Sequence, residues 1–427
     1  MRLLYSLAWW VALPLVLARL WWRGRLEAGY RRHVAERLGF YRGIAPGGQR
    51  NLLWVHAVSV GETRAAEPLV DSLLAVYPQA TVLLTHMTPT GRATGKALFG
   101  KHGARLVQCY LPYDTGWMVG RFLDHFKPRL CVLMETEVWP NLIATCVRHQ
   151  VPVTLVNARL SERSLAKAQR LSGLMREAAQ GFSCIAAQTE ADAARLRQMG
   201  ATNVHVTGSI KFDVAPPQEM LIQGAALRGQ IGSRPVLLCA STREGEEALI
   251  LDAMQACDLQ HVLVVIVPRH PQRFDEVARL VSLRNIMLCR RSELGTAWVG
   301  PEVQVLLGDT MGEMFAYYAA CDVAFIGGSL LPLGGQNLIE ACALGKPVLI
   351  GQHTHNFLAI SDDAVTAGAA LRVADAPVML QQARRLLQSD VERIVMGAKA
   401  KAFAEQHRGA TARTIDMLKP LLAPRID

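Results

Sequence analysis

The sequence predicts an α/β protein made of two doubly wound, Rossmann-like domains that face each other across a cleft, preceded by a short hydrophobic membrane anchor. Three observations carry that expectation. Short apolar runs alternate with amphipathic stretches twice over, the rhythm of βαβ units on a parallel sheet. The pair Pro216-Pro217 interrupts this rhythm midway, where neither a helix nor a central strand can continue. Residues 3–18 are apolar apart from Tyr5, Ser6 and Pro14.

The 427 residues exceed one ordinary core and suit two or three domains. A composition of 51% hydrophobic and 19% charged residues is that of a folded chain. The net charge of +10 is concentrated: nine arginines against two glutamates in residues 1–50 account for +7 and leave +3 for the rest. A nucleic-acid binder needs its basic surface on the folded domains, so that class is disfavoured. The nine cysteines include no Cys-x-x-Cys pair, and Cys131, Cys239 and Cys321 sit in apolar strand-like runs. They read as reduced core residues, with neither a disulfide framework nor a zinc site.

Residues 1–22 form the expected anchor. The apolar run is barely long enough to cross a bilayer, and Arg19, Trp21, Trp22, Arg23 and Arg25 follow it. Tryptophans beside arginines suit a membrane–water interface, and positive charge C-terminal to the run predicts that the bulk of the chain lies on the cytoplasmic side of the membrane. A cleaved signal peptide and a helix lying in one leaflet stay open as alternatives. Arg23, Arg25, Arg31, Arg32, Arg37 and Arg42 continue a basic collar. It either sets topology or meets anionic lipid.

The first domain is expected over 23–212, with strands at 52–58, 81–86, 129–134, 152–156, 184–187 and 204–207. A helix is expected over 63–76, from the spacing of Leu69, Leu73 and Val76. The second is expected over 213–427, with strands near 235–240, 262–267, 303–307, 322–326 and 347–350; its final helices could pack back on the first domain. Ligands of such sheets bind beyond the carboxyl ends of the strands, so the polar residues there are the candidates.

In the first half, strand 52–58 runs into Ser59-Val60-Gly61-Glu62, where the acid could cap the next helix or act as a base. Strand 129–134 ends in Glu135-Thr136-Glu137, two acids that are costly to bury unless paired or used. Strand 204–207 ends in Gly208-Ser209-Ile210-Lys211. The second half differs. It offers Ser241-Thr242-Arg243-Glu244-Gly245-Glu246, Pro268-Arg269-His270-Pro271, Gly308-Asp309-Thr310-Met311-Gly312-Glu313, Gly327-Gly328-Ser329 and Gly334-Gly335-Gln336-Asn337-Leu338-Ile339-Glu340. Glycine pairs before a helix start let backbone approach phosphate. Arg269 can neutralise a phosphate, and Glu340 suits ribose hydroxyls. Nucleotide chemistry in the second half and acceptor chemistry in the first is the expected division. Gly91-Arg92-Ala93-Thr94-Gly95-Lys96 falls short of a phosphate-loop motif, and no G-x-G-x-x-G follows the first strand. His353-Thr354-His355 is a weak metal candidate, and no cofactor or metal is expected.

These motifs, in this order, resemble the bacterial 3-deoxy-D-manno-octulosonic acid (Kdo) transferases across essentially the whole chain. The resemblance runs through Arg37-Leu38-Gly39, Trp54 to Glu62, Met134 to Asn141, Asn157 to Ser161 and Gly208 to Asp213, and on through Pro268 to Pro271, Gly308 to Glu313 and Gly334 to Glu340. It implies an inverting enzyme of the GT-B fold. It implies CMP-Kdo as donor and the anionic tetraacyldisaccharide lipid A precursor as acceptor, at the inner membrane surface. It implies Glu62 as the base and Glu135 and Lys211 as transition-state supports. Pro268, Arg269, Met311, Gly312, Glu313 and Asn337, Leu338, Ile339 and Glu340 fall at the implied CMP-binding positions, with Ser59, Gly61, Glu137, Ser241 and Gly335 as further candidates. Gln336 and Arg243 each stand where His is common in the family. Two other classes are weighed: a GT-B enzyme using a UDP-sugar (transferase or 2-epimerase), and a non-catalytic membrane lipid-binding module.

Overall fold

The computed structural model describes residues 1–44, 51–213, 215–257, 259 and 261–423. The chain divides into two compact units, Met1–Asp213 with Arg408–Asp427, and Val214–His407. The last helix, Ala410–Leu422, thus belongs to the first unit although it ends the sequence. Asp213 fixes it there: its carboxylate accepts the N–H groups of Gly409 and Thr411 at the helix start, and Leu418 and Leu422 are buried in the first unit's core.

The first unit holds seven strands: β1 Leu52–His56, β2 Thr81–His86, β3 Leu106–Tyr110, β4 Leu130–Met134, β5 Val153–Ala158, β6 Cys184–Ala187 and β7 Val204–Val206. They pair in the order β3-β2-β1-β4-β5-β6-β7, all parallel. Side chains alternate between the two faces. Leu52 and Trp54 enter one buried cluster, while Leu53 and Val55 enter the other. Burial on both faces is why these strands read as continuous apolar runs.

The second unit repeats the plan: β8 Val236–Thr242, β9 Leu263–Pro268, β10 Leu288–Arg290, β11 Val305–Leu307, β12 Val323–Ile326, β13 Val348–Ile350 and β14 Ala370–Arg372. The order is β10-β11-β9-β8-β12-β13-β14, again parallel throughout. Three strands, β3, β10 and β14, have no counterpart among the expected ones. Each lies at a sheet edge and is partly exposed, so its apolar signal is weaker.

Each sheet reverses its winding at one place, between β1 and β4 in the first unit and between β8 and β12 in the second. Such reversals leave a crevice at the carboxyl ends of the two strands. Glu62 follows β1 and Glu135 follows β4; Ser241 closes β8 and Gly327-Gly328-Ser329 follows β12.

The N-terminal helix is one continuous element, Arg2–Leu26. It is the one helix among the described residues long and apolar enough to cross a membrane. Of the expected basic collar, Arg37 does not reach the surface. It is 1% exposed, lies over the Tyr110 ring at 3.9 Å and donates to the Met87 carbonyl. Gly91-Arg92-Ala93-Thr94-Gly95-Lys96 is interior to the helix Pro89–Phe99 and forms no phosphate loop. All nine cysteines are free thiols, seven of them buried.

Candidate active site

In the first unit the candidate carboxylates converge. Ser59 caps the helix Val60–Ala65, its hydroxyl oxygen accepting the Glu62 N–H. Glu62 is therefore the third residue of that helix, with its carboxylate turned back: one oxygen accepts the Val58 N–H at 2.7 Å, the other the Ser59 hydroxyl at 3.3 Å. This is close to a capping box, so Glu62 does serve the helix start. The carboxyl is nevertheless pushed up to about 7. Burial is the largest cause; the Val58 N–H opposes it, and the charges of Glu137 and Glu135 add to it. The helix start alone does not hold Glu62 at the ordinary carboxylate value, contrary to what its position after β1 suggests, because burial, and then the two nearby acids, outweigh it.

Glu135 stands at φ +56° directly after β4, a backbone region that costs a non-glycine residue free energy. Its carboxylate forms an ion pair with the Lys211 ammonium at 2.6 Å. Glu137 accepts from the Trp139 indole N–H at 2.6 Å, and burial raises its carboxyl as well. Lys211 is held indirectly by Asn157, a residue the sequence offered only inside a longer motif. Asn157 is fully buried at φ +56°, and its side-chain oxygen accepts the Ser209 hydroxyl and the Ile210 N–H. The loop that carries Lys211 is thereby fixed against the end of β5. Glu62, Glu135, Glu137 and Lys211 thus share one locus, and Gly61 lies on its helix.

In the second unit the switch point is built around a different acid. Glu246 is 0% exposed, and its carboxylate accepts the N–H groups of Arg243, Gly328, Ser329 and Leu330 at 2.6–2.9 Å. It ties the end of β8 to the loop after β12. Gly327 must be glycine, because a Cβ there would lie 2.6 Å from the Ser241 oxygen and the Thr242 Cα. Ser241 itself is at φ +56°. The Gly335 N–H donates to the Gly328 carbonyl at 2.6 Å, which folds the glycine-rich loop onto the same point. Beside Glu246, Glu247 is buried and paired with Arg273.

The expected nucleotide residues separate into groups. Arg269 is exposed directly after the buried Pro268 that ends β9. Partial burial, then the charges of Arg243, Arg269 and Arg273, hold His270 below its usual value. Three guanidinium groups therefore act on one locus. Met311 and Gly312 are exposed in a turn, whereas Glu313 is engaged by the Arg291 guanidinium at 3.2 Å and the Thr310 hydroxyl at 2.6 Å. Leu338 and Ile339 are fully buried, so only their backbone can face a ligand. The helix expected directly after Gly335 starts at Ile339 and is five residues long. Asn337 accepts the Ile339 N–H, and Glu340 is half-buried within that helix. Among the described residues no group of three or more His, Cys, Asp or Glu could hold a metal ion, and His353 and His355 join none.

Removing Glu246 leaves four backbone donors without an acceptor, each worth about 1–3 kcal/mol when buried. Glu246→Ala is expected to lower the melting midpoint of the second unit by about 10 °C or more, at about 2–4 °C per kcal/mol, and to weaken nucleotide binding. Calorimetry with and without nucleotide measures both, and an unchanged midpoint would contradict the role.

Two parallel doubly wound units, each with polar residues at its switch point, form the architecture of the GT-B class. A UDP-GlcNAc 2-epimerase from Neisseria meningitidis, bound to UDP-GlcNAc, has the same fold, with a TM-score of 0.58 and 16% identity over 87% of this chain and 100% of that one. The family profile described as 3-Deoxy-D-manno-octulosonic-acid transferase (kdotransferase) matches residues 32–214. The chain is 47% identical to a 3-deoxy-D-manno-octulosonic acid transferase of Bordetella pertussis over 429 residues, 99% of both chains. It is 36% identical to one of Haemophilus influenzae, again over 99% of both. The chain belongs to the 3-deoxy-D-manno-octulosonic acid transferase family and is a glycosyltransferase.

Proposed function

We propose that the enzyme transfers Kdo from CMP-Kdo to the tetraacyldisaccharide precursor of lipid A, in lipopolysaccharide synthesis at the inner membrane, by an inverting mechanism with Glu62 as base. The observation that carries this reading is the locus at the β1/β4 switch point, where Glu62, Glu135, Glu137 and Lys211 come together. A sugar acceptor hydroxyl is a weak nucleophile, and a carboxylate within hydrogen-bond reach takes its proton as the new bond forms. The acceptor oxygen bonds to the anomeric carbon, the bond to the CMP phosphate oxygen breaks, and CMP leaves with the electron pair. CMP needs no protonation to leave, so one essential carboxylate suffices where a glycosidase uses two.

The transition state carries positive charge on the sugar and negative charge on the departing phosphate. Lys211 has three N–H donors; pairing with Glu135 leaves donors for the carboxylate of Kdo. Arg269, and the backbone of Asn337, Leu338 and Ile339, are the proposed phosphate contacts. Met311 and Gly312 offer backbone to the base, and Glu340 a carboxylate to the ribose. Glu313 is proposed to act by holding the turn that carries Met311 and Gly312.

Nucleotide preference separates this reading from a UDP-sugar enzyme and from a lipid-binding module. CMP is expected to raise the melting midpoint by several degrees at saturating concentration, and UDP by far less. A larger shift with UDP would favour the UDP-sugar class, and no shift with either the module.

A further inference from the structure

The N-terminal helix has about 37 Å of length at 1.5 Å per residue, enough to cross the roughly 30 Å hydrocarbon core. Its contacts oppose that. Near its start, the Arg2 guanidinium pairs with Glu177 at 2.7 Å, the Tyr5 hydroxyl donates to the Asp114 carboxylate at 2.9 Å, and the Ser6 hydroxyl donates to the Asn141 side-chain oxygen at 3.0 Å. Asp114 and Asn141 are buried. The Trp9 ring stacks on Tyr113 at 5.9 Å. At the other end Arg23 lies over the Tyr30 ring, and Arg31 lies over Trp21 and donates to its carbonyl. The N-terminal end therefore rests on the first unit, while the other end packs against the turn Ala28–Arg31 that directly follows it. A helix crossing a bilayer would carry Arg2, Tyr5 and Ser6 to the far side, out of reach of Asp114 and Asn141.

The outward face is apolar. Leu3, Leu7, Val11 and Leu15 recur every four residues and are 61–86% exposed. Arg19, Trp21, Trp22 and Arg23 are exposed beyond them. The first unit continues this face. Trp10 lies 6.4 Å from Trp117, Phe40 lies 6.1 Å from Trp117, and Arg121 covers both Phe40 and Trp117. Trp117 is 51% exposed although it belongs to a folded helix.

We infer that the N-terminal helix lies in the plane of a single leaflet, clamped to the first unit through Tyr5 and Ser6, and that Phe40, Trp117 and Arg121 extend its lipid-facing surface. The occupant is an anionic phospholipid leaflet: aliphatic side chains enter the acyl boundary, tryptophans sit at headgroup level, and arginines meet phosphate. This rests on the reading of the helix as a membrane-binding element and is independent of the sugar that the enzyme transfers.

The test uses the full chain carrying Leu4→Cys, a position exposed on the outward face. In intact spheroplasts, a membrane-impermeant maleimide followed by mass mapping is expected to leave Cys at this position unlabelled until detergent is added. Labelling in intact spheroplasts would place the helix start across the membrane and overturn the inference. Independently, Phe40→Ser with Trp117→Ser is expected to weaken binding to phosphatidylglycerol-containing vesicles about tenfold while leaving turnover in detergent unchanged. Unaltered vesicle affinity would remove these residues from the lipid surface.

Discussion

Glu62→Gln is expected to stop transfer, lowering kcat by about 10³-fold or more, at the upper range of what a positioned general base contributes, while CMP-Kdo still binds. The substitution keeps the shape of the side chain and its acceptance from Val58, but removes the site for the proton. The same carboxyl sets the pH dependence. With Glu62 pushed up to about 7, the fraction of enzyme holding an ionised base falls as pH drops through that value. The acid limb of kcat/KM should therefore be centred near pH 7, well above an ordinary carboxylate. Stability moves the other way. A carboxyl whose folded value is raised contributes most below the ordinary range near 4.5 and loses that contribution as pH rises through about 7. Glu62→Gln is thus expected to melt higher than the parent at pH 8 while being inactive. Steady-state kinetics and calorimetry on one preparation test both. A variant with parental turnover would end the assignment of Glu62 as base.

Lys211→Met is expected to be the next most damaging change, lowering kcat by about 10²-fold, in the range for loss of one preorganised charge partner. The loss has two sources. The sugar carboxylate loses its cation, and Glu135 is left without the ammonium that pairs with it at 2.6 Å. Three carboxylates without a lysine would repel an anionic donor and raise the Glu62 carboxyl further. Besides lost turnover, the acid limb of the pH profile should shift upward, which a purely structural defect would not produce. Single-turnover rates across pH measure this; a slower rate with an unmoved limb would make Lys211 a structural residue only.

The alternation of apolar runs was enough to place eleven of the strands, because strands buried on both faces leave continuous apolar signatures. Three of the four edge strands, β3, β10 and β14, carry no such signature, since residues such as Gln108 and Arg290 break the pattern where one side meets water. Strand order was also beyond reach. Only the fold reveals that Glu62 and Glu135 flank the same switch point, because their 73-residue separation carries no information about adjacency. Asn157 and Glu246 lie within longer motifs in which nothing local distinguishes them. Their role is to accept backbone N–H groups from loops far along the chain, and such pairing has no local sequence signal. Arg37 was assigned to the basic collar because charge alone suggests exposure; its burial over Tyr110 is a tertiary fact. For Leu338 and Ile339 the motif position was legible, while the burial of both side chains restricts any ligand contact to backbone.

Transfer of Kdo to lipid is measured by incubating the purified enzyme with CMP-Kdo and the tetraacyldisaccharide lipid A precursor and weighing the lipid by mass spectrometry. The expected product is heavier by one or more Kdo residues, with release of CMP, and Glu62→Gln is expected to form none. An unmodified lipid, or a product formed only when a UDP-sugar replaces CMP-Kdo, would contradict that transfer.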